Sequence, residues 1–521
     1  MSGLNRRAFI KIGGAAAPGA VLLGAGRAEA AAAPAKPGPR PAPEPLAGGA
    51  GTPGTARRKF VEYGWDVPGP VYLRDHIQAM EQMPLDGVAF NLYENPALSG
   101  GTGATKLVNP LDPTPLTAAG IQLDVLSAIG WQTFTDNFLV LTAGRPPATP
   151  MNWFDDTQWT TIQSNLGLLG QAVQASGAVG VFLDPENSAG NVAWQYNATL
   201  FPNNTFEQAQ AQVRMRGGQF MSALQAARPD IKVLILHMSV LLRYLTPQYQ
   251  AFLGGQLSSN PYALFLSFVD GMLDARGPQA TIHDGSETDY WFDESTLWVY
   301  DAQYQRGGWF AVSPENRCKW AENVLASTVY LDLTLGHATP NIAAIYGCYK
   351  TYAQSDFQQW YEHNLYHAAL KSSEYVWLYS EKMSWWSGTA FAGAADGVRA
   401  VQAKLQQGEA LGYDMSKYLS YPDHRDTAAT FTTSPSLVLS GPANGAQVAA
   451  GSAVVVTAVA SDPASVQRVE FYHNGQRIDY STTPPNIAAV YAEPGPHTLL
   501  ARAFLAAGGH VTSNPIIIQA A

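Results

Sequence analysis

The sequence predicts an α/β protein, a (β/α)8 TIM-type barrel followed by a small all-β sandwich. Three observations carry that reading. From Arg58 to about Asp426, apolar runs of strand length alternate with amphipathic helical stretches, the pattern of a parallel sheet with helical crossovers. Most of these runs end in polar or acidic residues, as barrel strands do where their C-terminal ends line a site. From about Ser434 the pattern changes to short alternating strands separated by Pro, Gly, Asn and Asp turns.

Eight strands are expected in the barrel. Seven are KFVEYGWD (59–66), DGVAFNLY (86–93), WQTFTDNF (131–138), AVGVFLDPEN (178–187), IKVLILHMS (231–239), ATIHDGSE (280–287) and EYVWLYSE (374–381). The other, seventh in chain order, is either TVYLDL (328–333) or NIAAIYG (341–347), between which periodicity does not choose. In SPENRCKWAENVLAS, Ser313 can cap a helix, Pro314 suits its first position, and Ala321, Val324 and Leu325 recur at helical spacing.

The 521-residue chain exceeds one ordinary domain, and its 46% hydrophobic content can fill a large core. Only 14% of residues are charged and the net charge is -10, which disfavours a nucleic-acid partner. The N-terminus reads NRRAFIK, then the short apolar IGGAAAPGAVLLGAG, then Ala28-Glu29-Ala30. This resembles a twin-arginine export signal over residues 1–30, its apolar stretch too short to span a membrane. Cleavage after Ala30 would remove Arg6, Arg7, Lys11 and Arg27 with Glu29, taking the net charge from -10 to -13. Residues 31–57, nearly all Ala, Pro and Gly, read as a linker. The expected division is therefore 1–30 signal, 31–57 linker, 58–426 barrel and 434–521 sandwich. Cys318 and Cys348 could pair after export, and neither has the His-rich surroundings of a metal site.

The stretches GPANGAQVAAGSAVVVTAVASDP and VQRVEFYHNGQRI resemble the bacterial immunoglobulin-like domains appended to exported polysaccharide-acting enzymes. That resemblance covers most of 434–521 and implies a spacer or packing module. Tyr472, Tyr480 and Tyr491 are its only candidates for stacking on sugar.

The apolar GVFLDPEN ends in Asp184 and Glu186, two carboxylates two residues apart, and the sixth strand ends in Asp284 and Glu287. Glycoside hydrolysis needs two carboxyl groups, one protonated to assist the leaving oxygen and one ionised to attack or to activate water. The assignment that follows is Glu186 as acid and Glu287 as nucleophile or base, roles that could be reversed. Asp184 would hold Glu186 or touch a sugar hydroxyl. Glu381, beside Trp385 and Trp386, is the rival second carboxylate, and the Trp pair could stack on a sugar ring. Trp65, Asp66, Asn91, Asp136, Asn137, His237, Asp284, Tyr290 and Trp291 are further candidates for substrate contact, His237 without a chemical role. Asp184 could instead simply cap the next helix. The segment 186–230, with Trp194, Tyr196 and NATLFPNNT, could wall one end of the cleft and favour exo cleavage.

Pairing the fourth and sixth strands resembles the α-galactosidase and α-glucosidase barrels, whose local motifs are absent. The Asp-x-Glu ending also resembles the chitinase-type barrels, which implies a Glu acid and an Asp orienting a substrate acetamido nucleophile. Of that family's longer Asp-rich run, FLDPE keeps only the last two carboxylates. Taken together, the strand stretches at 59–92, 180–187, 282–292 and 374–386 resemble exported glycoside-hydrolase-like barrel proteins of environmental bacteria. The resemblance spans most of 58–390 and implies fold and broad class but no particular sugar. G-x-S-x-G, P-loop, dinucleotide-glycine and H-E-x-x-H motifs are absent. His is scarce at the strand tips, so neither metal nor other cofactor is expected. A barrel that binds carbohydrate without cleaving it is the alternative from another class.

Overall fold

The computed structural model describes residues 58–143, 151–187, 193–245, 247, 250, 255–287, 308, 311–322, 324–334, 353–372, 374–381, 383–409, 411–413, 415, 435–473, 476–492, 494–506, 510–513 and 516–521. The expected signal, the linker, Tyr290, Trp291, Cys348 and the NIAAIYG stretch lie outside these residues.

Among the described residues nine short strands form the barrel: β1 (Lys59–Gly64), β2 (Gly87–Phe90), β3 (Phe138–Thr142), β4 (Gly180–Asp184), β5 (Lys232–Ile235), β6 (Thr281–Asp284), β7 (Val324–Leu325), β8 (Ser327–Tyr330) and β9 (Tyr375–Ser380). All pair in parallel in the order β7-β6-β5-β4-β3-β2-β1-β9-β8. β7 and β8 are divided by Ala326 alone. Val324 and Leu325 pair with His283 and Asp284, while Ser327–Tyr330 pair with Val376–Tyr379. Together they fill the seventh of eight barrel positions and close the ring. The seventh strand is thus the TVYLDL candidate moved toward its N-terminus, with Leu331–Thr334 already helical. The helix expected across 313–327 stops early for the same reason: it is a 3-10 turn (Pro314–Asn316) and a helix (Arg317–Ala321), because Val324 and Leu325 are taken into the sheet.

Strand alternation builds two cores. Val61, Ala89, Phe138, Val140, Phe182, Leu234, Ala326, Tyr375 and Trp377 fill the barrel interior. Phe60, Val88, Leu139, Val181, Leu183, Val233, Ile282, Val376 and Leu378 face outward against the helices. Those helices have local reasons to start where they do. Asp155 caps the helix Asp156–Ala175 by accepting from the Thr157 and Gln158 amides, and Thr205 with Gln208 forms a reciprocal cap on the helix Phe206–Ala227. The latter lies hard against the helix Phe265–Ala275. A Cβ on Gly217 would stand 2.1 Å from the Phe268 carbonyl oxygen, and one on Gly271 1.8 Å from that of Arg214, so the crossing needs both glycines.

The N-terminal end of the barrel is plugged by ions. Lys59 Nζ lies 2.8 Å from Asp136 and 3.3 Å from Glu374, and Lys232 Nζ lies 2.6 Å from Glu374. Tyr375 receives a bond from Lys232 and donates one of 2.6 Å to Asp136. Burial alone would raise the Asp136 carboxyl, but hydrogen bonds from Lys59, Tyr375 and Thr135 outweigh it and hold the value down. This corrects the expected third strand. The sheet uses the apolar FLVLT from Phe138 onward, so Asp136 and Asn137 precede the strand and stand at the end of the barrel opposite the site. Asn137 is consumed by the backbone, accepting from the Val88 amide and donating to the Phe134 carbonyl.

The C-terminal segment forms two sheets. One is β10 (Leu437–Ser440), β12 (Ala453–Ala460) and β15 (Asn486–Tyr491), paired antiparallel. The other contains β11 (Ala446–Val448), β13 (Val466–His473), β14 (Gln476–Ser481), β16 (Gly495–Leu505), β17 (His510–Thr512) and β18 (Ile516–Ala520). Val454, Val456, Val469, Phe471, Leu499 and Ile518 interdigitate between them. Tyr472 is buried, while Tyr480 is 60% exposed.

Candidate active site

The C-terminal mouth of the barrel gathers acidic side chains from neighbouring strands. On β4, Phe182 fills the interior, so Asp184 two residues later points the same way, into the mouth. Asp184 Oδ1 then accepts the Glu186 amide at 2.8 Å, a tight turn that fixes the second carboxylate just beyond the first. The next turn is anchored from outside: Asn187 donates its amide to the Tyr262 hydroxyl at 2.7 Å, and Trp194 Nε1 donates to the Pro185 carbonyl.

After β5 and β6 come the partners. His237 Nε2 stands 2.6 Å from Glu287 Oε2, each side chain 5% exposed. Glu287 reaches that position through an unusual turn. Gly285 bonds to the Ile235 carbonyl with no room for a side chain, since a Cβ there would meet the Leu236 Cα at 2.9 Å. Ser286 follows at φ 40°, in the left-handed region that costs a non-glycine residue strain, and the Glu287 amide bonds to the Leu236 carbonyl. The indole of Trp377 donates to the Gly285 carbonyl at 2.7 Å from inside the barrel.

Electrostatics bind these groups into one cluster. Burial, then the charges of Glu186 and Glu287, push Asp184 up to about 7, against the opposing pull of the Glu186 amide and His237. Burial alone would lower the His237 imidazole, but Glu287, Glu186 and Asp184 outweigh it and raise it. Tyr262 is raised well above its ordinary value, first by burial. Sequence reading missed Tyr262 and Thr142. Thr142 ends β3 in register with Asp184, and its buried hydroxyl has no hydrogen-bond partner among the described residues. Its interior parity after Phe138 and Val140 would have revealed it had the strand been placed correctly.

Across the mouth lies a second group. Tyr330 at the end of β8 bonds to Glu381, whose amide donates to Asp332 at 2.7 Å. Half-buried Trp65 donates to the Tyr379 hydroxyl at 3.0 Å. Glu381 and Trp65 are thus on the expected end of the barrel, but the charges that act on Asp184 are those of Glu186, Glu287 and His237.

Other expected contacts are spent on the scaffold. Asp66 is buried and accepts from the Ser380 hydroxyl and the Trp385 amide, which leaves it holding the loop after β9. Trp385 is 3% exposed inside the strand–helix core, and Trp386 packs with its ring 6.5 Å from Phe134, so the pair forms no open platform. Asn91 donates to the Lys106 and Tyr93 carbonyls. Asp284, the outward residue of β6, accepts from the Ser239 and Ser286 amides. Trp194 is fully buried, which removes it from any cleft wall. His237, expected to have no chemical role, is the direct partner of Glu287. Among the described residues no group of three or more His, Cys, Asp or Glu is arranged to hold a metal ion, and no helix is long and apolar enough to cross a membrane.

Residues 435–501 match the bacterial Ig domain family. A comparison with curated proteins returns no match. Among solved structures, fibronectin(III)-like modules of Clostridium thermocellum CbhA share 27% identity over 16% of this chain and 93% of theirs, with a TM-score of 0.16. A Bacteroides uniformis β-glucuronidase shares 10% identity over 90% of this chain, with a TM-score of 0.33; the alignment covers 46% of the enzyme, so the chain spans about half its length. A Cellulomonas fimi endo-β-1,4-mannanase shares 11% identity over 88% of this chain and 94% of its own, with a TM-score of 0.30. The chain is a (β/α)8 barrel followed by a bacterial Ig domain.

Proposed function

We propose that the protein is an exported glycoside hydrolase acting on a poly- or oligosaccharide through two carboxyl groups. The observation that carries this is the convergence of Asp184, Glu186 and Glu287 in one electrostatic cluster at the C-terminal end of the barrel. Glu186 protonates the departing glycosidic oxygen, and Glu287 attacks the anomeric carbon or activates water. Glu287 is preferred to Glu381 because it shares a cluster with Glu186. Trp65, beside the same mouth, is the candidate surface for a sugar ring. Export by the twin-arginine route follows from the N-terminal sequence and suits a substrate too large to enter a cell; the N-terminal residue of protein recovered from the medium tests it.

One observation favours a second mechanism. Asp184, held near 7 and bonded to the Glu186 amide, is poised to carry a proton beside the acid, as an Asp that orients a substrate acetamido group must. N-acetylated sugars therefore belong in the substrate panel. The test is reducing-sugar release on a broad glycan panel with Glu186→Gln and Glu287→Gln alongside. Each variant should lose about a hundredfold to ten-thousandfold in rate. Glycan binding without turnover by the unmodified protein would replace the hydrolase with a sugar-binding barrel.

A further inference from the structure

We propose that His237 is a positioning residue, whose protonated imidazole fixes the Glu287 carboxylate in the mouth and supplies its counter-charge, leaving the proton-donating role to the Asp184–Glu186 pair. The inference rests on the hydrolase reading for its catalytic meaning, while the pair itself can be tested without it.

Geometry carries the argument. His237 follows β5 at the N-terminal boundary of the helix Met238–Tyr244 and makes no capping bond to the backbone. The ring reaches Glu287 instead, at 2.6 Å, in a place where both side chains are almost wholly withdrawn from water. A carboxylate buried there without a partner would be strongly disfavoured. Three carboxyl groups from two strands face the one imidazole: Glu287 after β6, and Asp184 and Glu186 from β4. The Tyr262 hydroxyl, from the segment preceding the helix Phe265–Ala275, completes the ionisable surroundings.

The charges then sort themselves. A protonated imidazole compensates one carboxylate, and the 2.6 Å ion-pair contact selects Glu287. Two carboxyl groups remain side by side on β4, and their repulsion is relieved when they share a proton. A cationic His237 thus divides the site into an anionic arm on β6 and a proton-carrying arm on β4, the division a two-carboxylate hydrolase needs.

The first experiment is an NMR titration of the histidine rings in the full-length protein, with the His237 signal assigned by its absence from His237→Gln. In the unmodified protein His237 should titrate above the ordinary histidine range, and in Glu287→Gln its midpoint should fall by about one pH unit or more. An unchanged midpoint in a folded Glu287→Gln overturns the pairing, whether or not any glycan is cleaved. On a glycan that the protein does cleave, His237→Gln should lower kcat by about tenfold or more with little change in KM, and shift the acidic limb of the pH profile upward. A uniform loss with an unmoved profile assigns His237 a merely structural role and refutes the proposal. His237→Asn serves where the Gln variant fails to fold.

Discussion

Asp184→Asn should weaken catalysis and at the same time stabilise the barrel, increasingly so as the pH rises above about 4. The carboxyl is held at about 7 in the folded protein against 3.8 ordinarily, chiefly by burial and then by Glu186 and Glu287. The folded state therefore keeps its proton to higher pH than the unfolded chain does. Stability is intact below about pH 4 and declines as the pH rises to about 7, where the half-buried group finally ionises in place. The rise from 3.8 to about 7 corresponds to a ceiling of about 4 kcal/mol. Asparagine carries no such proton and can still accept the Glu186 amide through Oδ1. The stability gap between variant and parent should thus widen between pH 5 and pH 8, by at most about 2–3 kcal/mol because solvent reaching the half-buried carboxyl screens part of the effect. Urea unfolding followed by tryptophan fluorescence measures it cleanly, because all 13 Trp residues precede Ser387 and report only on the barrel. A gap that is the same at both pH values would show that burial and its two acidic neighbours do not hold Asp184 protonated, and would remove the electrostatic argument for the site.

Asp136→Ala should cost about 2–4 kcal/mol by leaving Lys59 and Tyr375 without their shared acceptor, and should leave KM unaltered because it lies at the closed end of the barrel; unfolding and kinetics read the two effects separately. Trp385→Ala should cost about 3–5 kcal/mol as a core cavity while the folded fraction keeps its glycan affinity, which calorimetry would check. Gly285→Ala should displace the Glu287 turn by driving a methyl group into Leu236, lowering turnover far more than it lowers the melting temperature.

The barrel was legible because strand and helix periodicities alternate so plainly, and Asp184 and Glu186 were legible because their strand reads through without interruption. The third strand failed for a physical reason. WQTFTDNF and FLVLT adjoin at Phe138, and a polar pair between apolar stretches reads equally as the end of one strand or the entrance to the next. Asp66 and Asp284 show a second limit. Both follow or end a strand as active-site residues do, but strand alternation turns them to the outer face, Asp284 two residues after outward Ile282 and Asp66 next to inward Trp65, where backbone amides engage them. The His237–Glu287 contact joins residues 50 positions apart through a left-handed turn at Ser286, which no local pattern announces. The Ig domain needed none of this, since its turns and alternation are local.

Ala326 joins the two half-strands of the seventh barrel position. Every other strand of the barrel holds a neighbour on each side along a shared stretch, whereas here the chain lets go of β6 just where it takes hold of β9, with the Ala326 amide bonded to Asp284 as the final tie. The ring is a bracelet, and this is its clasp. Strain on the barrel gathers where the fewest bonds resist it, so the amides of 324–327 should exchange with solvent ahead of those in β4 or β9. Because the adjoining strand ends in Asp284 and leads straight into Glu287, an unfastened clasp would loosen one arm of the acidic mouth while the β4 arm stayed in place.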